Sequence, residues 1–203
     1  FLAQIRDETG VTLSDLNLGG GYGVRYTQED EAIDIPARLA ELAAYLKEKT
    51  ERLGLPMPRF LMEPGRSIVA DAGMTLYTVG SVKRIPGYKQ YAAVDGGMTD
   101  NPRYALYQSR YTVYHAHKSG SMERFDVVGR CCESGDIIQP GVELPGDTCR
   151  GDILAVCTTG AYNYSMASNY NRLPRPAVVM LTPDRIYEAV RRETFADLTG
   201  LDL

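Results

Sequence analysis

An α/β segment followed by an all-β domain is the fold class this sequence predicts, and three observations carry it. Residues 1–72 alternate helical and strand patterning. From Ala72 onward, short β-patterned runs are separated by Gly and Pro turns. Near the start, an apolar run from Asp15 ends in three consecutive glycines, Gly19-Gly20-Gly21.

Taken in order, the chain opens at Phe1 in what reads as the tail of a helix (Leu2, Ile5), stopped by Thr9-Gly10. It has no leading methionine, so a fragment is expected, with any targeting signal in the missing front. Asp15-Leu-Asn-Leu then forms a strand that delivers the glycines. Such residues leave N–H groups unhindered and reach positive φ, which lets a loop wrap an anion, here a phosphate. The spacing is neither GxGxxG nor a P-loop. Ile35, Leu39, Leu42, Leu46 and Leu53 recur at helical spacing, with Asp34 placed to cap and Gly54 to stop. Pro58–Glu63 follows as a short strand, ending in Glu63-Pro64-Gly65-Arg66, and Ser67–Ala72 suits a helical turn. In the βα order of a parallel sheet or barrel, strand C-termini of this kind carry the active site.

The β domain is expected to use strands at 75–84, 91–95, 111–116, 124–128, 153–158 and 177–182. Its turns are Pro86-Gly87, Gly96-Gly97, Ser119-Gly120, Pro140-Gly141 and Pro145-Gly146-Asp147. Thr182-Pro183 is expected to open a final helix, with proline in its tolerated first position.

Composition excludes several function classes. Net charge is −4 and no Lys/Arg run exceeds two residues, which argues against a nucleic-acid surface. No apolar stretch reaches the roughly 20 residues of a membrane helix. Cys131, Cys132, Cys149 and Cys157 lack CxxC spacing, which fits a reducing cytoplasm better than a zinc ribbon or a secreted disulfide scaffold.

Four segments bear chemistry. Glu63-Pro-Gly-Arg66 sets a carboxylate and a guanidinium across a sharp turn, as a surface ion pair or as a phosphate clamp with a proton-sharing acid. Cys132-Glu133-Ser134-Gly135-Asp136 puts a thiol beside carboxylates, which keep it protonated and suit it to donate a proton; the alternative is a half-buried packing cysteine. Arg103 and Tyr107 are four apart, on one face if helical, and read a carboxylate. Tyr162 follows a strand and can stand at a site's rim or serve as core. Arg150-Gly151-Asp152 is a turn before a strand. His115 and His117 share a strand face at metal-ligand separation but lack a third ligand, so no metal is assigned.

With these segments in this order, the chain resembles the fold-type III pyridoxal-phosphate decarboxylases, and within them the bacterial meso-diaminopimelate decarboxylases. The resemblance implies the C-terminal part of a cofactor-binding (β/α)8 barrel in residues 1–72, followed by a β-sandwich or barrel domain in 73–203 whose last helix returns to the barrel. It implies that Gly19, Gly20 and Gly21 bind the phosphate of pyridoxal 5'-phosphate. Glu63 of the Glu63-Pro64-Gly65-Arg66 turn would partner the pyridine nitrogen, and Arg66 would ligate phosphate and substrate. Arg103, Tyr107 and Glu133 would bind substrate, Tyr162 would touch cofactor and substrate, and Cys132, buried and beside Glu133, would be the proton donor. It further implies a homodimer with shared active sites, the Cys-Glu-Ser loop reaching the partner's site, and conversion of meso-2,6-diaminopimelate to L-lysine and carbon dioxide. The family's Schiff-base lysine and ring-stacking histidine lie upstream of this region. None of Lys47, Lys49, Lys83, Lys89 or Lys118 sits in a matching motif, so this chain alone is expected to be inactive, and turnover by it would overturn that. Tyr104 stands where many relatives have proline, a departure that bears on the placement of Arg103.

Two other readings compete. A sister decarboxylase of ornithine, arginine or carboxynorspermidine would act on substrates ending in a bare cation, and such enzymes tend to carry Cys-Asp where this chain has Cys132-Glu133. A non-catalytic, dimerising fragment is the other, since a half barrel leaves strand edges unpaired.

Overall fold

A computed structural model describes residues 1–203, which divide into two compact units. The first comprises residues 1–25 and 29–69, the second residues 26–28 and 70–203.

In the first unit, α1 (Leu2–Thr9) ends at Gly10 in the left-handed conformation, φ 74°. Arg6 Nη1 donates to the carbonyls of Leu53 and Gly54 at 2.7 and 3.1 Å, which ties α1 to the end of α2 (Ile35–Arg52). Helix α2 starts as its sequence dictates: Asp34 accepts from Ala37 N at 3.0 Å, and Pro36 fills the first turn, where its missing N–H costs nothing. Strands β1 (Asp15–Asn17) and β2 (Arg59–Leu61) pair in parallel, and a two-pronged contact from Arg59 to Asp15 (2.7 and 3.1 Å) links directly opposed residues. One-turn helix α3 (Arg66–Val69) follows β2.

The second unit is built on a six-stranded sheet. Its strands are β3 (Met74–Ile85), β4 (Lys89–Val94), β5 (Val113–His115), β6 (Met122–Val128), β7 (Ile137–Pro145) and β8 (Ile153–Cys157), with one-turn helix α4 (Arg103–Tyr107) between β4 and β5. The order is β5-β8-β3-β4-β6-β7, antiparallel except for the β4–β6 pair. Its end strands β5 and β7 approach each other, and Gln139 on β7 accepts from Tyr111 N at 2.8 Å, so the sheet nearly closes into a barrel. The interior is packed by Tyr77, Val79, Ala92, Val94, Phe125, Val127, Ile138, Leu144, Leu154 and Val156. These residues alternate along their strands, as the pleat requires. A separate hairpin, β9 (Val178–Leu181) and β10 (Ile186–Val190), precedes α5 (Phe195–Thr199), whose start is a capping box between Thr194 and Asp197.

Three expectations need correction. The turn signals Pro140-Gly141 and Pro145 lie inside or at the end of a nine-residue strand, β7. The ladder tolerates the proline because register shifts beside Asp126, whose side chain takes the Gly141 N–H at 2.8 Å. Thr182-Pro183 does not open a helix: Thr182 N donates to Arg185 O at 3.0 Å and Arg185 N to Thr182 Oγ1 at 3.2 Å, closing a hairpin turn. The β-branched and aromatic residues of β10 then favour a strand, and the helix waits for Thr194. His117 lies past the end of β5, so it does not share a strand face with His115.

His115 serves the fold. Its side chain is 2% exposed, Nδ1 accepts from Lys118 N at 2.9 Å, and Nε2 lies 3.1 Å from Asp152 Oδ2. Lys118 Nζ joins the same carboxylate at 2.8 Å. Burial pushes the Asp152 carboxyl up, but Lys118, the Cys149 N–H and His115 outweigh it and hold it well below the usual carboxylate range. A carboxyl depressed in the folded state stabilises that state above its unfolded pKa of about 4, and the gain drains away as pH falls through the folded value. Replacing Lys118 by methionine is therefore expected to flatten the loss of unfolding free energy below about pH 4. Denaturant titrations across that range check it; an unchanged slope would shift the acid sensitivity to Glu193, which Arg175 holds down at about 2.

Candidate active site

Within the first unit, pairing between the parallel strands continues past their ends. Leu18 N donates to Leu61 O at 3.0 Å and Glu63 N to Gly19 O at 2.8 Å, which brings the glycine loop alongside the Glu63 turn. Gly19 and Gly21 adopt φ of 69° and 93°. Gly20 is needed for another reason: a Cβ there would sit 2.2 Å from Glu63 O, inside a wall of backbone. Asn17 organises the corner, accepting from Gly19 N at 2.7 Å and donating to Glu63 Oε1 at 2.6 Å. The result is a bare-backbone cradle beside an exposed, oriented carboxylate, with Arg66 starting α3 three residues on. Asn17 is a residue that sequence reasoning passed over, although a side-chain amide just before a glycine loop is a signal for such a turn.

Within the second unit, α4 presents Arg103 and Tyr107. The Arg103 side chain is buried, with its guanidinium 5.4 Å from the Tyr107 ring and 5.5 Å from the Tyr162 ring, and Nη2 donates to Ser109 Oγ at 3.3 Å. Its Nε meets no acceptor. A buried guanidinium flanked by aromatic faces, with no carboxylate paired to it, suits an anionic partner. Tyr162 reaches it from a loop pinned to the start of β3: Gly160 N donates to Ala70 O at 2.9 Å, Thr159 N to Gly73 O at 3.0 Å, and Thr75 Oγ1 to Thr159 Oγ1 at 2.9 Å. Tyr162 has φ of 70° and Thr158 60°, left-handed values that cost a non-glycine residue strain.

Cys132 and Glu133 lie on the β6–β7 loop. Cys132 is exposed on the single chain, and its neighbour Cys131 is the sheltered thiol, pushed up to about 11 by burial and by Asp136. Tyr170, which has no sequence signal, donates its hydroxyl to Glu133 Oε2 at 3.4 Å. Lys89 and Lys118 are engaged by Asp126 and Asp152 at 2.6 and 2.8 Å, in keeping with structural roles.

The profile described as "Pyridoxal-dependent decarboxylase, C-terminal sheet domain" matches residues 14–160, most of the chain. The chain belongs to the pyridoxal-dependent decarboxylases. Among curated decarboxylases of this family it is 48% identical over its whole length to diaminopimelate decarboxylase of Bacillus subtilis and 44% identical to that of Halalkalibacterium halodurans. It spans 46% of the length of each. Among solved structures, M. jannaschii diaminopimelate decarboxylase in complex with L-lysine superposes with a TM-score of 0.92 at 33% identity, over 100% of this chain and 46% of that one. Lysine/ornithine decarboxylase of Vibrio vulnificus with cadaverine superposes less closely, with a TM-score of 0.72 at 26% identity over 84% of this chain and 44% of that one.

Pyridoxal phosphate is the cofactor of this decarboxylase family. The cradle fits its phosphate, because the N–H groups of a loop that admits no Cβ at Gly20 can close on an anion, and Glu63 supplies an oriented acceptor for a protonated ring nitrogen.

Proposed function

We propose that the full-length protein, working as a cytoplasmic homodimer with pyridoxal 5'-phosphate, decarboxylates meso-2,6-diaminopimelate to L-lysine and carbon dioxide. The observation that carries this reading is Arg103, a buried guanidinium whose Nε lacks an acceptor, held against Tyr107 and Tyr162. Diaminopimelate keeps a second carboxylate and a second ammonium far from its reacting carbon. Arg103 meets that carboxylate, with Tyr107 and Tyr162 contributing, and Glu133, on the loop that reaches the partner's site, meets the ammonium of the substrate bound there. A substrate without the distal carboxylate would leave the guanidinium unpaired, which costs several kcal/mol and discriminates strongly.

Bound pyridoxal phosphate supplies an electron sink for the pair left on the α-carbon as carbon dioxide departs. Gly19, Gly20 and Gly21 hold its phosphate together with Arg66, and Pro64 and Gly65 shape the turn between Glu63 and Arg66. Glu63, oriented by Asn17, keeps a proton on the pyridine nitrogen. The Cys132 thiol returns a proton to the α-carbon at the end of the turnover.

The rival is an ornithine-, arginine- or carboxynorspermidine-type decarboxylase on the same scaffold. Carbon dioxide release by the full-length holoenzyme from meso-diaminopimelate, ornithine, arginine and the LL isomer decides between them. Preference for the meso substrate is expected; preference for ornithine or arginine would keep fold and cofactor and overturn the roles of Arg103 and Glu133. The non-catalytic reading fails on any of these activities.

A further inference from the structure

The Arg103 segment and the Cys132-Glu133 loop are joined by a buried carboxylate. Asp136 is 4% exposed. Its Oδ1 accepts from Met98 N and its Oδ2 from Cys131 N, both at 2.6 Å. The slot around it is walled by glycine: a Cβ on Gly97 would stand 2.6 Å from Asp136 Oδ1, and one on Gly129 2.2 Å from either oxygen. No side chain fits at either position without expelling the carboxylate.

Each bonded amide belongs to a loop that carries a candidate substrate ligand. On one side, Gly97 O accepts from Asp100 N (3.1 Å) and Asn101 N (2.8 Å), forming the turn that leads into Arg103. Asp100 Oδ1 takes Gly97 N at 2.9 Å, while its other oxygen is held by Tyr77 Oη in a short contact. On the other side, Gly129 N donates to Asp136 O at 2.9 Å and Asp136 N to Glu133 O at 3.1 Å, closing the base of the loop that displays Cys132 and Glu133. Arg130 N to Gly96 O, at 3.1 Å, is a second stitch between the loops.

We propose that Asp136 is a positioning residue that fixes the Cys132-Glu133 loop, which the proposed homodimer sends into the partner's site, to the turn before Arg103 in its own site, and so ties the two shared sites together through one chain. This rests on the proposed function for the identity of the substrate, not for the clamp itself. Charge matters to the role. A carboxylate offers an acceptor to both amides, whereas an isosteric amide offers one and turns its NH2 against the other N–H.

The test is Asp136→Asn in the full-length holoenzyme, beside Val127→Ala, a fully buried core truncation in the same sheet. Three quantities are read: the iodoacetamide alkylation rate of Cys132 by peptide mass spectrometry, KM and kcat for meso-diaminopimelate, and amide exchange in peptides covering 97–101 and 129–136. Asp136→Asn is expected to speed Cys132 alkylation and raise KM by about tenfold each, to accelerate exchange in both peptides, and to leave cofactor retention unchanged. Val127→Ala is expected to lower Tm while leaving alkylation and KM within about twofold. Equal effects from the two variants on alkylation and KM would overturn the proposal. If the wild type does not turn over meso-diaminopimelate, the function fails, while alkylation and exchange still decide the clamp. If Asp136→Asn does not fold, wild-type exchange decides: protection of Met98 and Cys131 amides about tenfold above those of Cys132 and Ser134 supports the clamp, and equal protection overturns it.

Discussion

Arg103→Met in the full-length enzyme is expected to lower kcat/KM for meso-diaminopimelate by about two to three orders of magnitude while leaving the protein no less stable. The two halves of that expectation have one cause. Arg103 is a buried cation with no carboxylate paired to it and an unpartnered Nε, so the fold carries its desolvation and the bound carboxylate repays it. Methionine fills similar volume and its sulfur suits the faces of Tyr107 and Tyr162. The folded state then loses an uncompensated charge and the substrate complex loses its counterion. Steady-state kinetics with a thermal melt check both. Unchanged kcat/KM would remove Arg103 from the site, and a large fall in Tm would make it a structural residue.

Gly20→Ala is expected to weaken retention of pyridoxal phosphate by about a hundredfold, far more than Gly19→Ala. At Gly20 the new methyl meets Glu63 O at 2.2 Å and Glu63 C at 3.1 Å, which are backbone atoms that cannot rotate away. The loop and the strand end must part, moving the cradle and Glu63 together. At Gly19 nothing lies within 4 Å, and the cost is only that of φ at 69°, roughly 1–2 kcal/mol. Cofactor absorbance after dialysis of the full-length variants separates the two. Equal losses would mean that loop conformation, rather than close approach to Glu63, sets affinity.

How much of this was legible in the sequence depends on how far apart the deciding atoms lie. Helix α2 could be read because its cap, Asp34, and its leucine period are local. Strand β7 could not, because Pro140-Gly141 carries turn chemistry and what keeps it in the ladder is Asp126 on the neighbouring strand. Pro183 misled for the opposite reason: it satisfies the local rule for a helix start, but the segment after it pairs with β9. At the site, Glu63-Pro-Gly-Arg66 and Cys132-Glu133 are contiguous strings whose chemistry shows in one dimension. The burial of Asp136 does not, since one of its donors is Met98 N, far along the chain. Tyr170, meeting Glu133 across a similar gap, left no trace either.

The order of strands also sets a timetable for synthesis. Strand β3 begins the large sheet, yet one of its two neighbours, β8, is the last strand of that sheet to be made, with Met74 opposite Cys157. As the chain leaves the ribosome, one edge of β3 therefore stays open while β4, α4, β5, β6 and β7 are translated. Loop closure over such a span is entropically slow, and an open apolar edge invites pairing with other chains in the interval. A nascent chain halted before Ile153 should thus engage chaperones strongly, and one extended past Cys157 and clear of the exit tunnel should release them.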